Sequence, residues 1–270
     1  MSNFWQRLVT GVIIISVIIG SIIFGPISFI ILFLIVALLS LYEFYNLVSS
    51  DTLKPQKGPG LVLGMIIYTA ISFSWPEALS VEVRFAFIFA LTALIFFIEL
   101  YRKKVFPFHS IAYTLTGVIY IIIPFAMLIR ISFLSGNYNY AVPLGIFLLI
   151  WTHDTFAYLA GIKFGKHRLF ERLSPKKSWE GFAGGFVAAI IVSYILFKQF
   201  AMLSLYEWLA LALIVVVTGT LGDLVKSMLK RSLNVKDSGT ILPGHGGLID
   251  RFDAVLMSVP FIYIYLSLIK

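Results

Sequence analysis

Long apolar runs, separated by short polar segments, dominate the pattern of this chain. A helix needs about 20 mostly apolar residues to cross a bilayer, and nine runs come close to that length. They predict transmembrane helices at roughly 6–24, 27–47, 59–75, 82–101, 110–134, 141–162, 181–203, 206–225 and 253–269. Gly25-Pro26 separates the first two runs, and Asp51–Pro55 ends the second. The pattern therefore predicts an all-α polytopic membrane protein with about nine transmembrane helices.

The longest polar segments lie in the second half of the chain, at residues 163–180 and 226–252. We therefore divide the sequence into two parts. Residues 1–140 would form about five spans that act as a scaffold and give lipids access. Residues 141–270 would form about four spans plus the two polar loops, and any chemistry would take place there.

The composition excludes an ordinary soluble domain. The 270 residues are 60% hydrophobic and only 13% charged, whereas a soluble domain carries about 25% charged residues. The chain contains no cysteine, which excludes disulfides and thiolate metal sites.

The distribution of Lys and Arg predicts the orientation in the membrane. With nine spans and a cytoplasmic N-terminus, all but four of the 21 basic residues fall on the cytoplasmic side. The exceptions are Arg84, Arg130, Lys198 and Lys270. Because cytoplasmic loops carry an excess of Lys and Arg, we expect the N-terminus inside and the C-terminus outside. Both polar segments would then form a pocket on the cytoplasmic face of the inner membrane, where nucleotides are found.

The stretch from Asp223 to Asp253 is the least apolar part of the chain and carries candidate chemistry. One face of a predicted helix holds four polar residues, namely Asp223, Lys226, Ser227 and Lys230. Glycines that follow would break the helix and let backbone N–H groups approach an anion. Asp250 and Asp253 stand at the start of the last apolar run. Carboxylates for a hard metal and cations for phosphates are typical of phosphoryl or nucleotidyl transfer.

The run from Ser227 to Asp253, S-M-L-K-R-S-L-N-V-K-D-S-G-T-I-L-P-G-H-G-G-L-I-D-R-F-D, resembles the signature of phosphatidate cytidylyltransferases, also called CDP-diacylglycerol synthases. D-T-F-A-Y-L-A-G-x-x-x-G from Asp154 and S-P-K-K-S-W-E-G at Ser174–Gly181 resemble the same family. The match covers roughly residues 150–260, and L-Y-E-F-Y at Leu41–Tyr45 adds a short piece. The resemblance implies synthesis of CDP-diacylglycerol and pyrophosphate from CTP and phosphatidate, in phospholipid biosynthesis, by a homodimer.

Asp223 and Asp250 are the predicted metal ligands. Mg²⁺ usually takes one or two carboxylates together with substrate phosphates and water, and the prediction leaves room for a second cation. Two alternatives stay open at this point. Asp223 could pair with Lys226 at i+3, and Asp250 could cap the last helix with Asp253 in a capping box.

The basic residues are predicted to hold and stabilise phosphates. Lys226, Lys230 and Arg231 complete the catalytic set, and Ser178 is also a candidate N-cap of the helix that follows it. The candidate substrate-phosphate ligands are Lys176, Lys177, Ser178, Ser227, Lys236, His245, Gly246, Gly247 and Arg251. The predicted supporting carboxylates are Asp154, which should face a polar cavity, Asp237 and Asp253.

The residues alone leave other functions open. The chain could be a CTP-dependent kinase or another transferase acting on a polyprenyl-type lipid, or a transporter of an anionic solute. No nucleic-acid partner is expected. Two further acids, Glu43 and Glu99, lie near span ends, where we expect them to snorkel to water or pair with nearby Lys and Arg.

Overall fold

A computed structural model describes residues 3–73, 80–235, 237–239, 241–242 and 246–269. The chain folds into a bundle of long helices. In order, these are α1 (Asn3–Phe24), α2 (Pro26–Leu47), α3 (Lys57–Ser72), α4 (Val81–Arg102), α5 (Pro107–Gly117), α6 (Ile123–Ile131), α7 (Ala141–Phe164), α8 (Trp179–Gln199), α9 (Leu205–Ser232) and α10 (Ile249–Ile269). A π-helical turn, Val118–Ile122, joins α5 to α6, so the two form one continuous helix.

The helical membrane architecture predicted from the sequence is confirmed. Over the described residues, seven helices are long and apolar enough to cross a membrane. They are α2, most of α4, the continuous α5–α6 helix, α7, α8, α9 and α10. The spans predicted at 6–24 and 59–75 correspond to shorter apolar helices, Leu8–Phe24 and Lys57–Ser72.

The polar segment 163–180, predicted to be a loop, contains a small β-hairpin. Strand β1 (Arg168–Phe170) pairs in antiparallel fashion with β2 (Ser174–Ser178). The Glu180 carboxylate closes its base by accepting hydrogen bonds from the His167 amide and ring. The hairpin leads directly into α8, and there Ser178 Oγ accepts from the Gly181 amide at 3.1 Å. The predicted N-cap role of Ser178 is therefore confirmed.

Helices α7 and α8 approach closely because glycines line their contact. A Cβ atom added at Gly181 would lie 2.7 Å from the Ala157 carbonyl oxygen, and one at Gly184 would collide with the Ala160 side chain. Small residues allow such close packing between membrane helices. The approach brings the C-terminal end of α7 against the hairpin.

Helix α2 lies at the centre of the buried core. Its Phe33 ring contacts aromatic rings from three other helices, namely Phe125 of α6, Phe147 of α7 and Phe252 of α10, with ring centroids 5.7–6.1 Å apart. Near its C-terminal end, the buried Tyr45 hydroxyl donates to the Thr114 carbonyl oxygen at 2.8 Å. The end of α2 is therefore held firmly against α5.

Five helix termini meet at one end of the bundle. These are the C-terminal ends of α2, α7 and α9 and the N-terminal ends of α8 and α10. The hydrogen bond from the Leu248 amide to Glu43 links α2 to the start of α10. An ion pair between Lys177 and Asp223 links the hairpin to α9. The longest polar segments of the sequence are thus gathered in one place.

Candidate active site

A cavity of about 720 Å³ lies at this end of the bundle. Helices α7, α8, α9 and α10 and the hairpin all contribute to its wall. The charged residues that line it are Asp154, Arg168, Lys176, Lys177, Asp223, Lys226, Asp250, Arg251 and Asp253. Eight of these nine were predicted as site residues from the sequence, and Arg168 is the addition.

Lys226 stands at the centre of the charged cluster. Its Nζ lies 2.6 Å from Asp223 Oδ1, 2.7 Å from Asp253 Oδ2 and 3.9 Å from Asp250 Oδ1. The side chain is almost fully buried, with 9% of the residue exposed. A buried ammonium needs such partners, because an unpaired charge away from water is strongly unfavourable. Lys226 therefore joins α9 to the first turns of α10.

Two further lysines flank the cluster. Lys177 Nζ, at the end of the hairpin, lies 2.8 Å from Asp223 Oδ2. Lys230 Nζ, one turn beyond Lys226 on α9, lies 2.6 Å from Asp250 Oδ1. The cluster thus contains as many ammonium groups as carboxylates. The arrangement is electrically balanced: Asp223 and Asp250 each contact two ammonium groups, and Asp253 contacts Lys226.

The carboxylates fit a hard divalent cation, provided that one ammonium moves. Asp223, Asp250 and Asp253 converge on a single point, and oxygen ligands are what Mg²⁺ prefers. That point is filled by Lys226 Nζ. Within the part of the chain that the structure describes, no group of three or more His, Asp or Glu side chains is arranged to hold a metal as it stands. A metal ion would therefore replace the ammonium in its contacts with these oxygens.

The pairing alternative for Asp223 is observed, since it contacts Lys226 at i+3. The capping-box alternative for Asp253 is not what the structure contains, because its carboxylate pairs with Lys226 instead. Asp250 lies within the first turn of α10 and binds Lys230 and the Ser238 amide. All three aspartates therefore face the cluster.

The α7 side of the cavity is also polar. Asp154, well inside α7, is exposed to the cavity rather than to the core. His153 beside it is buried, and its Nε2 lies 3.1 Å from the Thr220 hydroxyl of α9. Lys177 Nζ donates to the Thr220 carbonyl oxygen at 3.4 Å. Sequence reasoning gave His153 no role, because it lies on a different helix face from Asp154.

Several predicted residues are not part of the cavity wall. Lys230 reaches it through Asp250, and the others among the described residues are Ser227, Arg231, Asp237, Gly246 and Gly247. Arg231 and Asp237 are exposed. The Gly246 amide donates to the Leu242 carbonyl oxygen at 3.1 Å. Lys236 and His245 lie outside the described residues.

Glu43 was misjudged from the sequence. It does not snorkel to water, since only 3% of it is exposed, and among the described residues it pairs with no basic side chain. Its carboxylate accepts from Ser238 Oγ and the Leu248 and Ile249 amides. Glu99 does pair as expected, with Arg102 at 2.7 Å. A carboxylate flanked by apolar and aromatic residues in L-Y-E-F-Y is a signal that a buried partner is needed.

Comparison with known proteins shows the family of this chain. The profile of the cytidylyltransferase family matches residues 5–269. The phosphatidate cytidylyltransferase of Bacillus subtilis (strain 168) is 36% identical over 99% of both chains. That of Staphylococcus aureus (strain COL) is 36% identical over 86% of this chain and 87% of its own. The phosphatidate cytidylyltransferase of Staphylococcus epidermidis (strain ATCC 35984) is 36% identical over 88% of this chain and 90% of its own. The chain therefore belongs to the cytidylyltransferase family.

Proposed function

We propose that this protein transfers the cytidylyl group of CTP to phosphatidate, giving CDP-diacylglycerol and pyrophosphate. The observation that carries the proposal is the balanced Lys–Asp cluster at the wall of a cavity between four membrane helices. Relatives named phosphatidate cytidylyltransferase supply the substrate class. The cluster supplies both signs of charge that the reaction needs.

In this reaction a phosphate oxygen of phosphatidate attacks the α-phosphorus of CTP. The bond from the α-phosphorus to the oxygen bridging to the β-phosphorus breaks, and pyrophosphate leaves with the electron pair. A phosphate monoester has a second pKa near 6, so the nucleophile is already anionic at neutral pH. No strong general base is needed. The main obstacle is the repulsion between two polyanions, which fixed positive charge relieves.

The residues of the cluster have matching roles. Asp223 and Asp250 would hold Mg²⁺, with Asp253 as a neighbouring carboxylate. When bound, Mg²⁺ supplies charge neutralisation and orientation for the nucleotide phosphates. Lys226 and Lys230, once released from the aspartates, donate to phosphate oxygens. Their charge then stabilises the transition state and the departing pyrophosphate.

Lys176 and Lys177, on strand β2, would bind the phosphate of one substrate. Both line the cavity, and α8 begins directly after the hairpin with Ser178 as its N-cap. A helix N-terminus carries a partial positive charge that favours anions. The hairpin thus adds two ammonium groups and a helix dipole to one wall.

Phosphatidate reaches the cavity from the side. Tyr158 and Ile162, on α7, line the cavity and are each 68% exposed. Exposed apolar side chains on a membrane helix are compatible with acyl chains. The lipid tails stay in the bilayer while the headgroup enters the charged end of the cavity.

The protein lies in the inner membrane with nine spans, the N-terminus inside and the active site facing the cytoplasm. The hydrogen bond between Glu43 and Leu248 puts the end of α2 beside the start of α10, which is compatible with this alternation of spans. Alternating spans place these two termini on the same side of a membrane. The homodimer and the division at residue 140 stay predictions.

The two alternative functions are less well supported. An alcohol such as a polyprenol needs a general base, whereas the cluster pairs each carboxylate with an ammonium group. A transporter needs charges along a path through the membrane, yet these charges gather at one end of the bundle. Relatives at 36% identity also carry the name of the nucleotidyltransferase.

The proposal is tested with Asp223→Asn and Asp250→Asn. Each should lower Mg²⁺-dependent formation of CDP-diacylglycerol from labelled CTP and phosphatidate by about a hundredfold or more, because transition-state charge stabilisation is lost. Asp51→Asn changes an exposed aspartate in the loop after α2 and is the matched control. Full activity in either of the first two variants would remove that residue from the proposed metal site.

A further inference from the structure

The orientation of the Asp250 carboxylate depends on Ser238. Asp250 Oδ1 binds Lys230, whereas Oδ2 accepts a hydrogen bond from the Ser238 amide at 3.0 Å. Ser238 Oγ also lies 3.0 Å from the same Oδ2. One oxygen of the predicted metal ligand is therefore held by the loop that connects α9 to α10.

Ser238 is in turn held by Glu43 from α2. Ser238 Oγ lies 2.7 Å from Glu43 Oε1, and both residues are buried. A hydroxyl has a single proton, so it donates to one carboxylate at a time. Because the Ser238 amide already donates to Asp250, the hydroxyl proton is available to Glu43.

Glu43 also holds the start of α10. The Leu248 amide donates to Oε2 at 2.9 Å, and the Ile249 amide donates to Oε1 at 3.2 Å. Amides at a helix N-terminus lack partners within the helix, and a carboxylate there interacts favourably with the helix dipole. One side chain of α2 thus fixes both ends of the segment that leads to Asp250.

The glycines of the loop are fitted around this carboxylate. A Cβ atom at Gly239 would lie 2.8 Å from Glu43 Cδ, and one at Gly247 would collide with Glu43 Oε1 and Ser238 Oγ. A larger residue at either position would displace Glu43 or the loop. In this structure, the anion that these two glycines approach is a side chain of the protein itself.

We propose that Glu43 is a positioning residue for cytidylyl transfer, which sets the orientation of Asp250 through Ser238 and the first amides of α10. The inference rests on the proposed role of Asp250. Outer residues of this kind tune a metal site by fixing the ligands in place, and their loss commonly weakens metal affinity or activity by about 10- to 100-fold.

The test is Glu43→Gln, which keeps the shape but removes the charge and one acceptor oxygen. We expect kcat to fall about tenfold and the Mg²⁺ concentration for half-maximal activity to rise about tenfold. The KM for phosphatidate should change by less than about twofold, because the variant displaces a metal ligand and leaves the lipid site intact. Mg²⁺ should also raise the thermal unfolding midpoint of the purified variant less than that of the unaltered protein.

The matched control is Glu99→Gln. Glu99 is also a buried membrane glutamate, but it binds Gln56 and Arg102, away from the cavity. This variant should keep the Mg²⁺ dependence of the unaltered protein, even if its stability falls. An equal shift of the Mg²⁺ dependence in both variants would overturn the inference, since it would show a general effect of losing a buried charge.

Ser238→Ala provides a second, independent test. It removes the hydroxyl link but leaves the bonds from Glu43 to α10, so it tests the connection even if Glu43→Gln does not fold. If Glu43 acts through Ser238, a variant that combines Glu43→Gln with Ser238→Ala should be no less active than the less active of the two single variants. The inference would be contradicted if the losses of activity in the two single variants multiplied in the double variant. It would also be contradicted if Ser238→Ala left kcat and the Mg²⁺ dependence unchanged.

Asp250→Asn, assayed in parallel, separates this inference from the proposed function. An active Asp250→Asn variant would mean that the proposed role of Asp250 is wrong, and the role of Glu43 would fall with it. An inactive Asp250→Asn beside a Glu43→Gln variant that behaves like the unaltered protein would overturn the positioning role alone.

Discussion

Lys226 is the residue on which the cluster depends. Its ammonium contacts Asp223 and Asp253 directly and lies 3.9 Å from Asp250. In the absence of a metal ion, it compensates carboxylates that would otherwise repel each other inside the protein. The same lysine therefore stabilises the carboxylates without a metal ion and, in the proposed reaction, binds phosphate.

Lys226→Met should separate these two roles. The variant should be inactive, and its free energy of unfolding in EDTA should fall by about 3 kcal/mol, since removing one partner leaves buried carboxylates uncompensated. Added Mg²⁺ should then raise its unfolding midpoint more than that of the unaltered protein, because the ion no longer competes with an ammonium. Thermal unfolding in detergent measures both effects.

Lys163→Met, which changes an exposed lysine in the last turn of α7, is the control. It should unfold like the unaltered protein with and without Mg²⁺. An equal response of Lys226→Met and Lys163→Met to Mg²⁺ would mean that the three aspartates do not share one cation.

At the scale of single residues, the sequence predicted which side chains share one helix face but missed the contacts between side chains of different helices. Helical spacing correctly placed Asp223, Lys226 and Lys230 on one face of α9. The contact from Lys226 to Asp253 depends on how α9 packs against α10, which no local pattern specifies. Glu43 was misjudged for the same reason, because its partners are about 200 residues away along the chain.

Among the elements, α7 and α8 position the hairpin through their close contact. Gly185 of α8 is buried against His153 of α7, and an added Cβ atom would lie 2.7 Å from the His153 carbonyl oxygen. Because backbone atoms cannot turn aside as a side chain can, the two helices would have to separate.

Gly185→Ala should therefore lower the free energy of unfolding by about 1–3 kcal/mol, the usual effect of overpacking a tight contact. Gly58→Ala is the control, because a Cβ atom there meets nothing within 4 Å. Since alanine favours helix more than glycine does, that variant should be unchanged or slightly more stable. Equal unfolding midpoints for the two variants in detergent would contradict the tight contact between α7 and α8.

The long helices could be predicted because apolar length alone indicates them. The hairpin could not, since β1 and β2 are only three and five residues long and carry no apolar alternation. Helix α9 also extends beyond the predicted transmembrane span, which ends at residue 225, through the polar turns that carry Lys226 and Lys230, and runs to Ser232. Its last two turns are amphipathic, and a window that counts only apolar residues ends too early.

For the whole molecule, the gathering of helix termini is compatible with the alternation of spans predicted from the basic residues. The ends of α2, α7 and α9 meet the starts of α8 and α10 around the cluster. In an alternating arrangement of nine spans, these termini all lie on the side that carries most Lys and Arg. The orientation was inferred from loop charges, independently of the contacts in the structure.

Because the chain has no cysteine, single cysteines can report this orientation directly. Arg172→Cys lies in the turn of the hairpin, and Asn137→Cys lies in the loop between α6 and α7; both side chains are exposed. In spheroplasts of an expressing bacterium, a membrane-impermeant maleimide should label Asn137→Cys at once. Arg172→Cys should react only after the membrane is permeabilised, because we expect the hairpin to face the cytoplasm together with the charged cluster. Labelling of Arg172→Cys from outside would place the cavity on the wrong side of the membrane for cytoplasmic CTP, whereas protection of both residues would contradict the predicted number of spans between them.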